Sequence, residues 1–586
     1  MSCLLAPAAA SQLPQAELQA LRAEIVRGAV PGAEHDDLPR YRRALLGMYA
    51  DTSASLHWIS SEGLTTQGAA LLTELGQADR RGLIPSDYDA GSLSNALRSP
   101  GSGVRDEPPD AKALRADAWL TLSAMRFADH VARGRVDPRA LGFALPREKS
   151  DPDYAAIATA LSRSSDVAAA IDSLEPPYTR FRALESVLQQ YRALARDTAL
   201  TTLPRIVTAV RANDRWVGAA AVRRLLGAVG DMPAGEDGVT GADSDAYDDA
   251  LAEGVRRFQR RHGLVDDGVI GRATLAQLRT PIASRVAQIE LTMERWRWLP
   301  DLVDPRLVVV NIPEFRLYAI ERSAAGESTD ERMDVIVGSA YNGRHTPVFS
   351  SAIRTVVFHP YWDVPLSIAR REEVPKIRRD PSYAEREGME IVRGGDVDAI
   401  HYPITAANLQ RVIAGSLRLR QRPGPRNALG DVKFVFPNAY HVFMHGTPLQ
   451  SLFARERRDF SHGCIRTSDP AGLAEFVLHD QGGWDRERIE EAMAGDDQMQ
   501  SVSLSHPVPV FIVYATVVVD DGVPSFLPDL YGHDASLARA LRSQFDTVAD
   551  TGAPRSAVLR TAIEERRCPT DCAAIRSHSE EQRCGS

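Results

Sequence analysis

The spacing of apolar residues changes once along this chain, and this change constrains the fold more than any other feature. Between residues 36 and 210 apolar side chains recur every three or four positions, for example in segment 181–194, which is the spacing of amphipathic helices. From residue 306 onward they follow strand patterns, first in segments 307–312 and 315–320, which predict a hairpin. We therefore expect a multidomain α+β protein that is helical first and mainly β later.

The chain is also long enough for several hydrophobic cores. Its 586 residues exceed the roughly 150 residues of an average domain. The pattern predicts an N-terminal segment at 1–35, an all-helical scaffold domain at 36–210, a smaller unit at 215–282 with helices at 255–264 and 272–278, a mainly β domain at 300–520 and a C-terminal extension at 521–586. An Arg- and Glu-rich segment at about 366–425 interrupts the β domain, and we expect a helical insertion that caps a nearby site as a lid. Further strands are predicted at 333–337, 353–358, 433–436, 440–444 and 510–519, and a helix at 471–479.

Charge and hydropathy limit the kinds of partner and location that the chain can have. The chain has 69 Lys and Arg against 78 Asp and Glu, a net charge of −9, which argues against a nucleic-acid-binding surface. No apolar stretch approaches the roughly 18 residues needed to cross a bilayer, so no transmembrane segment is expected. The N-terminus, MSCLLAPAAAS, has no basic region of the kind that begins a secretory signal. It is either the remnant of such a signal or a disordered end.

The five cysteines are distributed unevenly. Cys3 lies near the start, Cys568, Cys572 and Cys584 lie near the end, and Cys464 is alone between them. The spacing of the three C-terminal cysteines lacks the fourth ligand of a structural zinc site, so no metal is expected. The tail either contains a disulfide, if its compartment is oxidising, or is disordered with free thiols.

The segment around Cys464 has the residues that covalent catalysis needs. An isolated buried cysteine is usually an inert apolar residue, but Gly463 permits a sharp turn and close substrate approach just before this one. A helix is expected to begin soon after Arg466, and its amides would lower the thiolate pKa and stabilise an oxyanion. Two histidines lie near in sequence, His445 at the end of a predicted strand and His462 in the turn. A thiolate and a histidine are the minimum for covalent acyl transfer.

The arrangement of His445, fifteen residues beginning Gly-Thr, and then Ser-His-Gly-Cys-Ile-Arg resembles the signature of the L,D-transpeptidase catalytic domain, also called the YkuD domain. Segments 359–365, 423–430, 432–434 and 436–438 are similar to the large periplasmic members related to YcbB. Those proteins combine a helical scaffold domain, a peptidoglycan-binding domain and a β-rich catalytic domain with a capping insertion. The resemblance covers about residues 36–545.

The segment at 215–282 has a family resemblance of its own. It contains Phe-Gln at 258–259, Gly-Leu at 263–264 and Asp-Gly-Val-Ile-Gly at 267–271. This pattern resembles the type 1 peptidoglycan-binding domain, a three-helix module appended to many bacterial wall enzymes. The resemblance therefore implies peptidoglycan as a partner of the chain.

The resemblance also implies a role for each residue of the motif. Cys464 would be the nucleophile, and His445 the general base that accepts its proton. Because the residue after this histidine is Gly446, only a backbone carbonyl is available there to orient the imidazole.

The other motif residues would support this pair. His462 would bind substrate or stabilise the oxyanion together with the backbone amides around Gly463 and Cys464. The Ser461 hydroxyl is expected to form hydrogen bonds within the loop. Arg466 would either hold a carboxylate of the stem peptide or anchor the loop, and anchoring is favoured.

The implied reaction is peptidoglycan L,D-transpeptidation without a metal or other cofactor. The enzyme would take a tetrapeptide stem, release D-alanine as a thioester forms, and transfer the acyl group to the side-chain amine of a neighbouring stem, making a 3→3 cross-link. Peptidoglycan stems and glycan are the expected partners, penicillin-binding proteins are candidate partners, and the periplasm is the expected location. Two alternatives stay open: an L,D-carboxypeptidase or wall-attachment hydrolase that uses the same site, and a non-catalytic peptidoglycan-binding scaffold.

Overall fold

The structure is a computed structural model, and it describes residues 15–30, 37–50, 56–98, 109–145, 152–232, 244–300, 304–322, 328–341, 343–394, 399–495 and 498–546. Cys3 and the three C-terminal cysteines lie outside these residues, so the expectations for the tail are not addressed. The chain divides into Met1–Leu541 and Arg542–Ser586. Every interaction described below lies within the first of these units.

Helices make up most of the N-terminal half. They are α1 (Gln15–Arg27), α2 (Leu38–Met48), α3 (Thr66–Gly76), α4 (Ala90–Arg98), α5 (Pro109–Arg133), α6 (Tyr154–Arg163), α7 (Val167–Asp172), α8 (Thr179–Leu194), α9 (Ala219–Ala228), α10 (Asp249–Arg261), α11 (Arg272–Leu278) and α12 (Ile282–Trp296). Side chains of Thr65, Asp153, Asp166 and Asp248 accept hydrogen bonds from backbone amides in the first turns of α3, α6, α7 and α10. These N-caps satisfy amides that have no partner within the helix.

One small hairpin departs from the all-helical expectation for residues 36–210. It consists of β1 (Ile59–Ser60) and β2 (Gly63–Leu64). Asp117 of α5 is fully buried, and its carboxylate accepts hydrogen bonds from the backbone amides of His57, Trp58 and Ile59. These bonds attach the chain to α5 where it enters the hairpin, a constraint that the helical spacing of the sequence does not reveal.

The segment at 215–282 contains α10 and α11, the two helices that its pattern predicts, and α9, which completes the three helices that the resemblance implies. Gly263 after α10 has φ +62°, the left-handed turn expected of a glycine that ends a helix. Arg261 of α10 forms a buried ion pair with Asp231 and hydrogen bonds with the Tyr191 hydroxyl and the Pro524 carbonyl. These contacts attach the three-helix segment to α8 and to the C-terminal β region.

Strands dominate from residue 306. They are β3 (Arg306–Asn311), β4 (Arg316–Arg322), β5 (Ser328–Gly338), β6 (Phe349–Phe358), β7 (Trp362–Asp363), β8 (Met389–Arg393), β9 (Ile400–Tyr402), β10 (Arg418–Gln421), β11 (Val432–Val435), β12 (Met444–His445), β13 (Asp459–Ser461), β14 (Ile465–Thr467), β15 (Gln500–Val513), β16 (Val517–Asp520) and β17 (Val523–Phe526). The remaining helices are α13 (Leu366–Ile368), α14 (Val374–Arg379), α15 (Ser382–Arg386), α16 (Ala406–Ala414), α17 (Pro470–Leu478), α18 (Arg486–Ala494) and α19 (His533–Asp546), and a π-helical turn covers Ala369–Glu373.

Nine of these strands form the main sheet in the order β13-β5-β14-β12-β11-β6-β15-β3-β4, and β4 also pairs with β5, so the sheet closes on itself. Every residue of β3 is buried. Val308 and Val310 belong to the core inside the sheet, whereas Leu307 and Val309 pack in a second core with residues of α8 and α12. The alternation of side chains along one strand thus joins the sheet to the helices outside it.

The insertion between β6 and β11 is only partly helical. Helices α13–α16 lie where helices were expected, but β7, β10, β8 and β9 form a separate antiparallel sheet in that order. Ile391 of β8 pairs with Leu419 of β10, and both side chains are buried in the insertion's own core. Pairs of this kind need a partner strand distant in sequence, so the local Arg- and Glu-rich composition concealed them.

Two strand predictions are wrong in part. Only Met444–His445 of the region predicted at 440–444 forms a strand, because the Asn438 side chain accepts hydrogen bonds from the amides of Tyr440 and Val442 and His441 has φ +55°. The strand predicted at 510–519 divides into β15 and β16. At the break the Asn311 side chain bonds both the amide and the carbonyl of Ala515, which takes the place of strand pairing.

Candidate active site

Three neighbouring strands bring the candidate residues to one face of the main sheet. In the observed register Lys433 of β11 pairs with His445 of β12, and His445 pairs with Arg466 of β14. Cys464 lies two residues before Arg466, and alternate residues of a strand share a face. The positive charges of Lys433 and Arg466 act on both His445 and Cys464. The sheet therefore places the thiol and the imidazole in the field of the same two cations.

The surroundings of His445 assign its protons. Its ring is buried, and Nδ1 lies 2.5 Å from the Gly446 carbonyl oxygen. Because a carbonyl only accepts, Nδ1 carries the hydrogen and Nε2 keeps the lone pair that a general base uses. Burial is the main cause that lowers the pKa of His445 to about 3, and Arg466 and Lys433 lower it further while the carbonyls of Gly446 and Leu429 oppose them. The imidazole is therefore neutral at physiological pH.

Cys464 is half-buried and is a thiol in the free protein. Its sulfur lies 4.0 Å from the His441 carbonyl oxygen. Burial raises the pKa of the Cys464 thiol, and this effect outweighs the opposing effects of the Phe443 backbone, Lys433 and Arg466. The helix expected soon after Arg466 is α17, but it begins farther from Cys464 than expected. Strand β14 follows Cys464, and α17 begins only at Pro470, so helix amides do not offset the cost of burying a thiolate.

The turn before Cys464 is held by Ser461 and Gly463. The Ser461 hydroxyl donates to the Cys464 carbonyl oxygen at 2.5 Å and accepts from the Gly463 amide at 3.0 Å. Gly463 has φ +121°, a conformation that side chains disfavour, and its carbonyl accepts a hydrogen bond from the Thr346 hydroxyl. Ser461 thus makes the loop hydrogen bonds expected from sequence, and the turn requires the glycine.

His462 contacts a residue for which the sequence gives no signal. Its Nε2 lies 2.7 Å from Oε1 of Glu372, which belongs to the π-helical turn of the insertion. The same carboxylate oxygen accepts a hydrogen bond from Arg344 at 2.8 Å. Glu372 and His462 are ninety positions apart, and Glu372 is one of several glutamates in a charged segment, so sequence alone could not select it.

Arg466 lacks the contacts that would anchor the loop. Its side chain forms no hydrogen bond or ion pair with any residue that the structure describes, and its Nε atom is buried without a hydrogen-bond partner. Arg466 nevertheless lowers the pKa of His445. The arrangement therefore favours a guanidinium that is available to an anionic group of a ligand.

Comparisons with known proteins identify the class to which this fold and site belong. Residues 305–510 match the family model of the L,D-transpeptidase catalytic domain, YkuD. Residues 43–188 match the scaffold domain, and residues 221–278 match the model described as "Putative peptidoglycan binding domain". The family resemblance of the sequence is thereby confirmed: the chain contains a YkuD-type L,D-transpeptidase catalytic domain, a peptidoglycan-binding domain and a scaffold domain.

One curated relative is a Haemophilus influenzae protein described as "Putative L,D-transpeptidase". It is 30% identical over 253 residues, which cover 43% of this chain and 48% of the relative. The aligned part therefore spans about half the length of that relative. No helix within the described ranges is long and apolar enough to cross a membrane.

Proposed function

We propose that this protein is a peptidoglycan L,D-transpeptidase with Cys464 as nucleophile and His445 as general base. The observation that carries the proposal is the His445 ring, whose Nδ1 hydrogen bond to the Gly446 carbonyl leaves the Nε2 lone pair as the base, on the strand that pairs with β14 directly after Cys464. The YkuD match supplies the reaction class. The peptidoglycan-binding match supports the wall as substrate, and a wall substrate implies that the protein works outside the cytoplasmic membrane.

The proposed steps balance at each atom. Cys464 Sγ attacks the carbonyl carbon of the third stem residue, and the thiol proton passes to His445 Nε2. The oxyanion collapses, the bond to D-alanine breaks, and His445 returns the proton to the departing amine. A side-chain amine of a second stem then attacks the thioester and gives a proton to His445, which protonates the departing sulfur. The products are free D-alanine and a 3→3 cross-link.

Substrate binding assists this chemistry through Arg466. In the free protein a neutral thiol faces a weak base, so proton transfer is unfavourable. A stem-peptide carboxylate that binds Arg466 neutralises a charge that depresses the pKa of His445. The base therefore becomes stronger once the anionic substrate is in place.

The role of Arg466 can be tested with two substrates, a tetrapeptide stem and its carboxamide form. Wild-type protein is expected to favour the free acid by about 10-fold to 100-fold in kcat/KM, as for a hydrogen bond to a charged group. Arg466→Met is expected to process both at similar, reduced rates. Retained discrimination in Arg466→Met would show that this arginine does not bind the carboxylate.

The proposed reaction is tested by incubating the protein with a disaccharide-tetrapeptide and analysing the products by mass spectrometry. We expect a cross-linked dimer and free D-alanine, and neither with Cys464→Ala. Tripeptide monomer without dimer would favour the hydrolase instead. An unchanged substrate, together with a Cys464 that excess carbapenem does not acylate, would favour the non-catalytic scaffold.

Accessory partners and location belong to the same proposal. The peptidoglycan-binding segment would hold the enzyme on glycan strands. A penicillin-binding protein that trims pentapeptide stems to tetrapeptides would supply its donor substrate. Residence in the periplasm would be checked by fractionating cells that express the full-length gene product.

A further inference from the structure

The capping insertion contributes a side chain to the catalytic loop. Glu372 lies in the π-helical turn of the insertion, and its Oε1 atom is 2.7 Å from His462 Nε2, two residues before Cys464. π-helical turns within helices are frequent at functional sites. This hydrogen bond joins the insertion directly to the Ser-His-Gly-Cys motif.

A third segment converges on the same carboxylate. Arg344, from the loop between β5 and β6, donates to Oε1 of Glu372 at 2.8 Å. Two residues later, Thr346 donates through its hydroxyl to the Gly463 carbonyl at 2.8 Å. The β5–β6 loop therefore supports both the turn that presents Cys464 and the carboxylate that contacts His462.

The pair contributes little to stability. The side chains of His462, Glu372 and Arg344 are 31%, 30% and 32% exposed, and ion pairs at this exposure contribute little net free energy. Partial burial acts to raise the pKa of Glu372, but the bond to His462 and the charge of Arg344 outweigh it and hold the pKa of this carboxyl below its ordinary value. Glu372 is thus an acceptor-only carboxylate at neutral pH.

The Glu372 carboxylate can only accept a hydrogen bond, and this determines which nitrogen of His462 carries a hydrogen. His462 Nε2 must carry hydrogen to donate to Glu372, so Nδ1 is the nitrogen left for a substrate. Within the described part of the chain Nδ1 has no hydrogen-bond partner. A ring held at one nitrogen by a carboxylate cannot flip or exchange tautomers without breaking that bond.

We propose that Glu372 is a positioning residue of the active site, which fixes the orientation and tautomer of His462 so that Nδ1, which keeps its lone pair, accepts a hydrogen bond from an N–H or O–H group of the bound substrate. This inference rests on the proposed transpeptidase function and adds a role for the insertion. The insertion thereby contributes Glu372 to the site.

The test measures acylation of Cys464 by a carbapenem, which yields a maximal rate and a half-saturating concentration. Glu372→Ala is expected to lower the maximal rate by about 10-fold to 100-fold and to change the half-saturating concentration by less than about 3-fold. Glu372→Gln retains an oxygen that accepts from Nε2, so its rate should stay within about 3-fold of wild type. Asp380→Ala is a matched control, because Asp380 pairs with Arg386 inside the insertion, and it should leave the rate unchanged.

A double-mutant cycle separates positioning from a general structural effect. If Glu372 acts through His462, Glu372→Ala has less than a 2-fold effect in a His462→Asn background. Independent, multiplicative losses would overturn the inference, as would equal losses in Glu372→Ala and Asp380→Ala. Thermal unfolding should be nearly the same for every variant, and a Glu372→Ala protein that unfolds at a much lower temperature would show that the role is structural.

The two proposals fail in different ways. A wild-type protein whose Cys464 is not acylated would refute the transpeptidase chemistry and this inference with it. A wild-type protein that is acylated normally, together with a multiplicative cycle, would refute only the role of Glu372.

Discussion

Gly430 lies under the backbone that holds the proposed base, and replacing it tests how closely the site depends on that support. Its φ is +65°, and a Cβ added there would lie 2.7 Å from the Thr447 amide nitrogen and 2.8 Å from the Gly446 carbonyl carbon. Both neighbours are backbone atoms, so no side-chain rotation relieves the overlap. The Gly446 carbonyl binds Nδ1 of His445, and the displacement therefore reaches the imidazole.

The loss of stability expected for Gly430→Ala is the sum of two effects. The left-handed conformation costs an alanine about 1 to 2 kcal/mol relative to glycine, and forcing a methyl group into a packed site adds about 1 to 3 kcal/mol. Gly430→Ala should therefore lower the free energy of unfolding by about 2 to 5 kcal/mol. A shift of the base approaching 1 Å costs on the order of 100-fold in rate.

The assay combines urea unfolding with the rate of Cys464 acylation by a carbapenem. Gly142→Ala is the matched control, because Gly142 has φ +79° with no atom within 4 Å of the added Cβ. It should cost only the conformational 1 to 2 kcal/mol and leave acylation unchanged. A Gly430→Ala protein that is acylated within 3-fold of the wild-type rate would refute the reasoning.

Three further predictions concern the same site. Because burial raises the pKa of the Cys464 thiol, its alkylation by iodoacetamide should keep accelerating as pH rises above about 9; a plateau below pH 7 would instead reveal a thiolate–imidazolium pair. His445 has a pKa of about 3 when folded against 6.5 ordinarily, so between these values the unfolded state binds more protons and stability falls as pH falls, by up to about 1.4 kcal/mol per unit. His445→Asn should lack this dependence, and parallel stability curves for the two proteins would contradict it. Asn427 bonds the Pro360 carbonyl and the Leu429 amide, so Asn427→Ala should lose about 1 to 3 kcal/mol of stability and also acylation rate, since the Leu429 carbonyl faces His445. Asn311→Ala, which removes a buried amide with similar bonds at a distance from the site, should lose stability alone; equal acylation in the two variants would contradict the role of Asn427.

The spacing of apolar and turn residues predicted those helices and strands that depend only on residues nearby in sequence. The hairpin of β3 and β4, the helices α10 and α11 and helix α17 follow from alternation, helical spacing and turn residues. Predictions failed where a distant side chain intervenes, as Asn311 does between β15 and β16. The sheet inside the insertion was missed for the related reason that its strands pair across long separations.

The candidate site likewise has features that the sequence predicted and features that only the structure shows. Cys464 directly follows the Ser-His-Gly turn, and fifteen residues separate His445 from that turn, so the sequence motif contains all of them. The Gly446 carbonyl was expected as the partner of the imidazole because Gly446 has no side chain. In the structure strand β14 separates Cys464 from the expected helix, α17, so the helix amides do not adjoin the thiol. A site expected to favour a thiolate is therefore one that holds a neutral thiol.

The sequence by itself indicated the family, the nucleophile and base that we propose, and the order of helical and β regions, because these depend on residue identity and short-range spacing. Tertiary structure alone decided the directions in which the pKa values of Cys464 and His445 shift, the lack of a hydrogen-bond partner for Arg466 Nε among the described residues, and the contact of Glu372 with His462. The physical reason is that pKa values and ion pairs depend on burial and on charges from segments that the fold brings together, and the spacing of residues along the chain does not encode those distances.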